Sequence, residues 1–224
     1  MGIRKERSPT YGPSCLFGWK KSYRDVFSIN EYRCLVGRHR NRSTPVDFNF
    51  FPEKALDREG IHAAFPFLAR SIVLQDQSNI LTVNVPSQDA ERECFKVSFF
   101  GVIDFGRVGE PEITEDGVLQ VASLDDLMAT KLKVILQRAE AKDYRDIAAM
   151  VKAGVDLSKG LFAARELFGM NFQPSESLKA MVYFQHGDRG TLTRDEKSCL
   201  IHAASAVRDP PRVEVSARRL TAAP

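Results

Sequence analysis

The feature that most constrains the fold is a change in hydrophobic periodicity at Ser123. Before Ser123, short runs rich in β-branched and aromatic residues are separated by Pro, Gly, Asp and Asn, which is typical of β-strands. After Ser123, apolar residues recur at helical spacing, and Ser123 with Asp126 three residues later resembles a capping box. The sequence therefore predicts an α+β protein in which a strand-rich half precedes a helical half.

Four segments are predicted along the chain. They are a basic N-terminal segment of unassigned fold at 1–45, a strand-rich half at 46–122, a helical half at 123–207 and a tail at 208–224. Strands are predicted at 46–51, 71–74, 80–85, 95–100 and 118–121, with a hairpin turn at 76–79. After a first helical region that ends at Gly154, helices are predicted at 157–168, 175–184 and 194–207. We expect the two halves to pack together as one unit.

Charge is distributed unevenly along the 224 residues. Residues 1–45 hold ten basic and three acidic side chains, although the formal charge of the whole chain is only +3. A polyanion should therefore contact the N-terminal part first, and a protein that coats nucleic acid along its whole surface is excluded.

The cysteines and the apolar runs indicate a cytoplasmic protein. Cysteines at 15, 34, 94 and 199 lie far apart and form no CxxC pair, so neither a zinc cluster nor a disulfide framework is predicted. No apolar run approaches the ~20 residues that cross a bilayer, and the basic N-terminus leads into no apolar segment. We expect no membrane association.

A strand motif at 46–51 carries the first candidate site residues. Strand alternation places Asp47 and Asn49 on one face and large apolar residues on the other. Magnesium prefers oxygen ligands, so this pair can hold the ion against a nucleoside triphosphate. The alternative is a half-exposed strand with ordinary polar residues.

The helical region at 131–146 carries a second group of candidate site residues. Lys131, Arg138, Lys142 and Asp146 are spaced by seven, four and four residues, and would form one stripe on a continuous helix. Such a stripe can bind phosphates, whereas Asp143 would lie off it. A break around 138–141 would instead make two helices and could bring Asp143 to the site. The alternative interpretation is a solvated face with local ion pairs such as Glu140 with Lys142.

Read together, these motifs resemble the AbiEii/AbiGii toxin-like proteins of the nucleotidyltransferase superfamily over roughly residues 36–186. The matching segments, in order, are Gly37-Arg38-His39-Arg40, 46–51, 95–101, 121–123, 126–132 and 138–147. The resemblance implies a mixed sheet of the polymerase-β nucleotidyltransferase type followed by a C-terminal helical bundle. It also implies magnesium-dependent transfer of a nucleotidyl group from a nucleoside triphosphate to a hydroxyl of an acceptor, such as tRNA, another RNA or a protein. Family members are linked to type IV toxin–antitoxin and phage-defence systems, so a cognate antitoxin is an expected partner.

The resemblance also implies roles for single residues. Asp47 matches the first metal carboxylate and Asn49 occupies the position of the second. The residues that match the family's catalytic positions are Asp47, Lys131, Asp143 and Asp146, and Arg138 and Lys142 are expected to bind phosphate. Apart from the resemblance, the basic run at 38–40 makes His39 and Arg40 candidates for phosphate contact, and the alternative there is a solvated basic loop. Whether the acids activate the acceptor or position the helix is left open. Ser98 and Asp104 are weaker candidates for a third metal ligand.

Two departures from the family pattern concern activity more than fold. Asn49 stands where the family has an acid, which removes one formal charge from the metal site. At the distance where the family has a glycine turn that grips the triphosphate, residues 26–32 contain no glycine. Three interpretations therefore remain: an active nucleotidyltransferase, a catalytically impaired nucleotide- or RNA-binding module of the same fold, and a protein that acts only by interaction.

Overall fold

The computed structural model describes residues 33–36, 47–51, 54–86, 95–113, 120–208 and 214–218. Most of the predicted N-terminal segment, including His39 and Arg40, and most of the tail lie outside these ranges. No described helix has the length and apolar character needed to span a membrane.

Within the described ranges, seven strands form one mixed sheet. Their bounds are β1 Arg33–Val36, β2 Asp47–Phe50, β3 Ile72–Gln77, β4 Ile80–Val85, β5 Phe95–Phe100, β6 Glu112–Ile113 and β7 Gln120–Val121. The order across the sheet is β3-β4-β5-β2-β1-β7-β6. The β1/β7 and β2/β5 pairs are parallel, and the other pairs are antiparallel. The predicted hairpin is confirmed, since β3 and β4 pair on either side of a short turn.

The helices follow the sheet in the chain, apart from one short helix that packs on it. Their bounds are α1 Arg58–Ala64, α2 Leu124–Val134, α3 Ala141–Lys152, α4 Leu157–Phe168, α5 Pro174–Met181 and α6 Arg194–Ala206. Turns of 3₁₀ helix lie at Pro66–Arg70, Gly169–Asn171 and Gly187–Thr191. This arrangement confirms the predicted α+β class with a mixed sheet followed by helices. Strands β1 and β6, helix α1 and the 3₁₀ turns were not predicted.

One face of the sheet is buried under α1 and the following 3₁₀ turn. Alternation along β2, β4 and β5 directs Phe50, Leu81 and Phe99 into this core, where Ile61 and Phe65 meet them. The Phe50 and Phe99 rings stack with centroids 5.1 Å apart. Because strand side chains alternate, the polar positions of β2, including Asn49, belong to the opposite face.

The helical half has its own apolar core, and local signals fix its helix ends. Ser123 Oγ accepts a hydrogen bond from the Asp126 backbone N–H at 3.1 Å at the start of α2. Thr193 and Glu196 form the predicted capping box of α6. Helices α2 and α4 approach closely at Gly160, where a Cβ would lie 2.3 Å from Met128 Cγ. A larger residue at position 160 would therefore push these helices apart.

The segment at 101–111 links the two cores. Phe105 lies against Phe168 of α4 with ring centroids 5.3 Å apart. Asp126 of α2 accepts hydrogen bonds from the Val108 and Gly109 backbone N–H groups at 2.7 and 3.3 Å. Packing of the two halves as a single unit stays a prediction, because the buried apolar clusters of the sheet and of the helices are separate among the described residues.

Candidate active site

A break between α2 and α3 determines the geometry of the helical candidate residues. Helix α2 ends at Val134, the chain turns at 135–137, and α3 begins at Ala141. The Leu136 and Gln137 backbone N–H groups bond to the Lys133 and Val134 carbonyls, which closes α2 with tighter turns. The continuous helix is therefore not formed, and the alternative with two helices is confirmed.

The break brings four of the predicted residues into one ion cluster. Lys131 Nζ lies 2.9 Å from Asp143 Oδ1 and 2.5 Å from Asp146 Oδ2. Arg138 Nε and Nη2 donate to Asp143 Oδ2 and Oδ1 at 2.8 and 3.1 Å, which makes a two-pronged pair. Asp143 is fully buried, whereas the Lys131 side chain is 16% exposed. Asp143, which a straight helix would have excluded, is thus at the centre of the cluster.

Lys142 takes part in a different contact. Its Nζ lies 3.0 Å from Glu140 Oε2, as the solvated-face interpretation predicted. Glu140 Oε1 in turn lies 3.7 Å from Arg138 Nε. Lys142 is therefore linked to the cluster through Glu140, which lies near both Lys142 and Arg138.

The cluster fixes the charge of Lys131 and Asp143. Burial disfavours the charged form of Lys131, but the carboxylates of Asp146 and Asp143 outweigh it and raise its pKa. Burial would raise the pKa of Asp143, but hydrogen bonds from Arg138 and Lys131 outweigh it and lower its pKa. Near neutral pH Lys131 is consequently an ammonium group and Asp143 a carboxylate. Lys131 can attract phosphate but cannot act as a general base.

The strand motif lies at the centre of the sheet. In the backbone register, Asp47 pairs with Lys96 of β5, and Asn49 pairs with Ser98 of β5 and Leu35 of β1. The structure describes only the backbone of Asp47, so the predicted approach of its carboxylate to Lys131 stays a prediction. Asn49 is partly exposed.

The weaker candidates for a third ligand have different surroundings. Ser98 is 1% exposed, and its Oγ accepts a hydrogen bond from Thr82 Oγ1 at 3.1 Å. Asp104 is exposed on the segment after β5. Within the part of the chain that the structure describes, no three His, Cys, Asp or Glu side chains are grouped to hold a metal. The strand residues fit magnesium in ligand type, since they offer a carboxylate and an amide oxygen, but with a single formal negative charge.

The sequence did not predict a buried contact of Tyr144, the residue that follows Asp143 in α3. Arg189 is 5% exposed, and its Nη1 donates to the Tyr144 hydroxyl at 2.9 Å. The same hydroxyl donates to the Ala180 carbonyl oxygen at 3.1 Å. No local pattern joins Arg189 to Tyr144, because the two residues are 45 positions apart in the chain. The Gly187-Asp188 dipeptide, a turn signal, was the available clue.

Both motif regions lie inside one family match. The model of the family described as nucleotidyl transferase AbiEii toxin, type IV TA system, matches residues 43–200. The chain belongs to the AbiEii family. This span includes β2 with Asp47 and Asn49, and the whole Lys131–Asp146 region.

The chain also resembles a solved structure, at low sequence identity. A solved structure of an H. pylori protein, provisionally assigned as a nucleotidyltransferase, is 15% identical to this AbiEii family member. The match covers 80% of this chain and 88% of the H. pylori chain, with a TM-score of 0.45. No curated protein matches the chain.

Proposed function

We propose that this protein transfers a nucleotidyl group from a nucleoside triphosphate to a hydroxyl of RNA or protein, in a magnesium-dependent reaction. The observation that supports the proposal is the cluster of Lys131, Arg138, Asp143 and Asp146, which lies within the AbiEii match. A cation held in a fixed position beside buried acids is suited to a polyphosphate, because no reorganisation is needed when charge develops.

In this proposal, the cations bind the substrate. Lys131 is partly exposed and charged near neutral pH, so it contacts a phosphate oxygen as a point charge. Arg138 and Lys142 are proposed to extend the positive surface along the triphosphate. His39 and Arg40, which lie outside the described residues, are proposed to contact phosphate from the N-terminal side.

Separate tasks are proposed for the side chains that offer carboxylate or amide oxygens. Asp47 and Asn49 would hold a magnesium ion, which would supply charge neutralisation of the triphosphate during in-line attack. Asp143 uses both carboxylate oxygens on Lys131 and Arg138, which favours positioning of these cations over activation of the acceptor. Asp146, which also contacts Lys131, is the better placed of the two to activate the acceptor hydroxyl, because it is 7% exposed.

The proposed biological setting follows from the family. The AbiEii family model is described as a toxin of a type IV toxin–antitoxin system. For this chain we propose a toxin role in such a system or in phage defence, with a cognate antitoxin as partner and tRNA or another RNA as acceptor. A small regulator-like gene directly upstream of the gene for this chain would support that role.

The direct test is nucleotidyl transfer by wild type and an Asp47→Asn variant. The protein is incubated with magnesium, each labelled nucleoside triphosphate and total RNA. We expect wild type to label RNA or protein, and Asp47→Asn to lose most of the label, because it removes the only carboxylate of the strand pair without changing its shape. Asp76→Asn is the matched control, since Asp76 lies exposed on edge strand β3 and pairs with Arg58. A folded wild-type protein that labels nothing would contradict the proposal.

A second candidate is a nucleotide- or RNA-binding module without turnover. The strand register favours this candidate. In the sheet, Asn49 pairs with Leu35 and Ser98, and neither of these residues is acidic, so neither replaces the missing charge. Calorimetric titration with a nucleoside triphosphate distinguishes the candidates. If wild type and Asn49→Asp both bind the nucleotide without transferring it, the binding module is supported. If neither binding nor transfer is detected, the interpretation that remains is a protein that acts only by interaction.

A further inference from the structure

Helix α3 begins without a helix-breaking residue and without a cap from its own segment. Residues 132–141 contain neither proline nor glycine. The N-cap residue Glu140 makes no capping hydrogen bond, and its carboxylate faces Arg138 and Lys142 instead. Because the first N–H groups of a helix have no acceptor within the helix, an acceptor from another part of the fold can fix where α3 starts.

The missing acceptor comes from a turn 47 residues further along the chain. Asp188 Oδ1 accepts a hydrogen bond from the Ala141 backbone N–H at 2.6 Å. Asp188 lies in the 3₁₀ turn Gly187–Thr191. A carboxylate at this position satisfies the first helical N–H and interacts favourably with the positive end of the helix dipole.

The residues on both sides of Asp188 hold the same region. Gly187 has φ +62°, and a Cβ there would lie 2.2 Å from the Ala139 carbonyl oxygen, so glycine is required for this approach. Arg189 is buried and donates to the Tyr144 hydroxyl in the first turn of α3. Three consecutive residues thus contact the α2–α3 linker, the first residue of α3 and the side chain of its fourth residue.

We propose that Gly187–Arg189 is a clamp that sets where α3 begins, and that Asp188 is a positioning residue for the Lys131–Asp143 cluster. Asp143 is the third residue of α3. Because each residue corresponds to about 100° of rotation, a shift of α3 by one residue in register relative to α2 would turn the Asp143 carboxylate away from Lys131 and Arg138. The catalytic consequence rests on the proposed function, whereas the effect on the position of Asp143 does not.

The test compares Asp188→Ala with a matched loss of a helix cap elsewhere. Asp156 caps α4 by accepting from the Ser158 and Lys159 backbone N–H groups at 2.8 and 3.3 Å, and α4 carries no cluster residue. Asp156→Ala therefore has a comparable effect on a helix end without moving α3. The readout is the titration of the Asp143 carboxyl carbon by NMR, because Lys131 and Arg138 are the charged groups that lower its pKa.

We expect Asp188→Ala to raise the pKa of Asp143 towards the ordinary value of 3.8, and Asp156→Ala to leave it unchanged. Asp188→Asn keeps a side-chain oxygen that can accept from Ala141, so it should retain the wild-type titration. If the protein transfers nucleotidyl groups, kcat should fall about tenfold in Asp188→Ala and recover in Asp188→Asn, since a displacement of about 1 Å has effects of this order or larger.

An unchanged Asp143 titration in folded Asp188→Ala would overturn the proposal. If that variant does not fold, hydrogen exchange of wild type decides: the Ala141 amide should exchange slowly, and exchange at the rate of an unstructured amide would also overturn it. The two proposals fail separately. Wild type without transfer but with a responsive Asp143 supports the clamp alone, whereas transfer with an unresponsive Asp143 supports the enzyme and rejects the clamp.

Discussion

In the sheet, Asp47 and Asn49 lie two residues apart on one strand, whereas in the helical half Lys131 and Asp143 lie twelve residues apart on two helices. Alternation along a strand is enough to place the first pair on one face. The second pair meets only because the chain breaks between α2 and α3. The sheet pair has one formal charge, while the helical cluster has two cations and two carboxylates that pair with each other.

The two regions therefore differ in what a substitution can change. In the helical cluster both cations are paired with carboxylates, so we expect the loss of one of these side chains to lower both stability and phosphate binding. The sheet pair lacks a carboxylate and has uncharged sheet neighbours at Asn49, so added charge there should improve function. Removal of charge from the helical cluster should therefore lower activity, whereas addition of a charge at position 49 should raise it.

The largest expected effect is that of Lys131→Ala. It leaves the buried carboxylates of Asp143 and Asp146 without their shared cation, which should lower the free energy of unfolding by about 3–5 kcal/mol. Transfer activity should fall about 10²-fold or more under conditions where the variant stays folded. Urea unfolding and the labelling assay measure the two effects. Lys179→Ala, which removes a pair between exposed side chains, should change stability by less than about 1 kcal/mol.

The next effect is a gain at Asn49. Asn49→Asp adds a carboxylate where the triphosphate's magnesium is proposed to lie, so magnesium affinity or transfer should rise about tenfold or more. Magnesium dependence of transfer and calorimetric titration measure it. The double variant Asn49→Asp with Asp47→Asn is the control, because it has the same net charge as wild type. A gain that persists in the double variant would show that a carboxylate at position 49 is sufficient for metal binding without the carboxylate of Asp47.

A smaller effect concerns pH. The pKa of Asp143 is lowered in the folded protein, so its contribution to stability is present above the ordinary value of 3.8 and is lost as pH falls through the folded pKa. The pKa of Lys131 is raised, so its contribution is present below the ordinary value of 10.5 and is lost as pH rises through the folded pKa. The free energy of unfolding, measured with urea, should therefore decline at acid pH through Asp143 and at alkaline pH through Lys131. In Asp143→Asn the acid decline should be shallower than in Asp156→Asn.

Much of the fold was predictable because its signals are local. The alternation at 80–85 and 95–100 and the capping box at Thr193 depend on neighbouring residues, and the structure has β4, β5 and α6 at those places. Strand β6 and 3₁₀ turn Pro66–Arg70 are too short to give a periodic pattern.

The candidate site was predictable in its residue types but not in its geometry. The spacing of Lys131 and Asp146 was informative, yet whether Asp143 also contacts Lys131 depended on a helix break without proline or glycine. That break depends on Asp188 and Gly187, which lie more than 45 residues away. A contact at such separation leaves no trace in the local pattern of one sequence.

The smallest expected effect decides whether the sheet region hides a further metal ligand. Ser98 Oγ is buried and bonded to Thr82 Oγ1, which favours a structural role. Ser98→Ala should lower the free energy of unfolding by about 1–2 kcal/mol, since the Thr82 hydroxyl then loses its buried partner. It should leave the magnesium dependence of transfer unchanged. Thr82→Val is the matched variant, because it breaks the same hydrogen bond from the other side. A fall in magnesium affinity in Ser98→Ala but not in Thr82→Val would make Ser98 a ligand, and the sheet region would then have three oxygen donors in place of two.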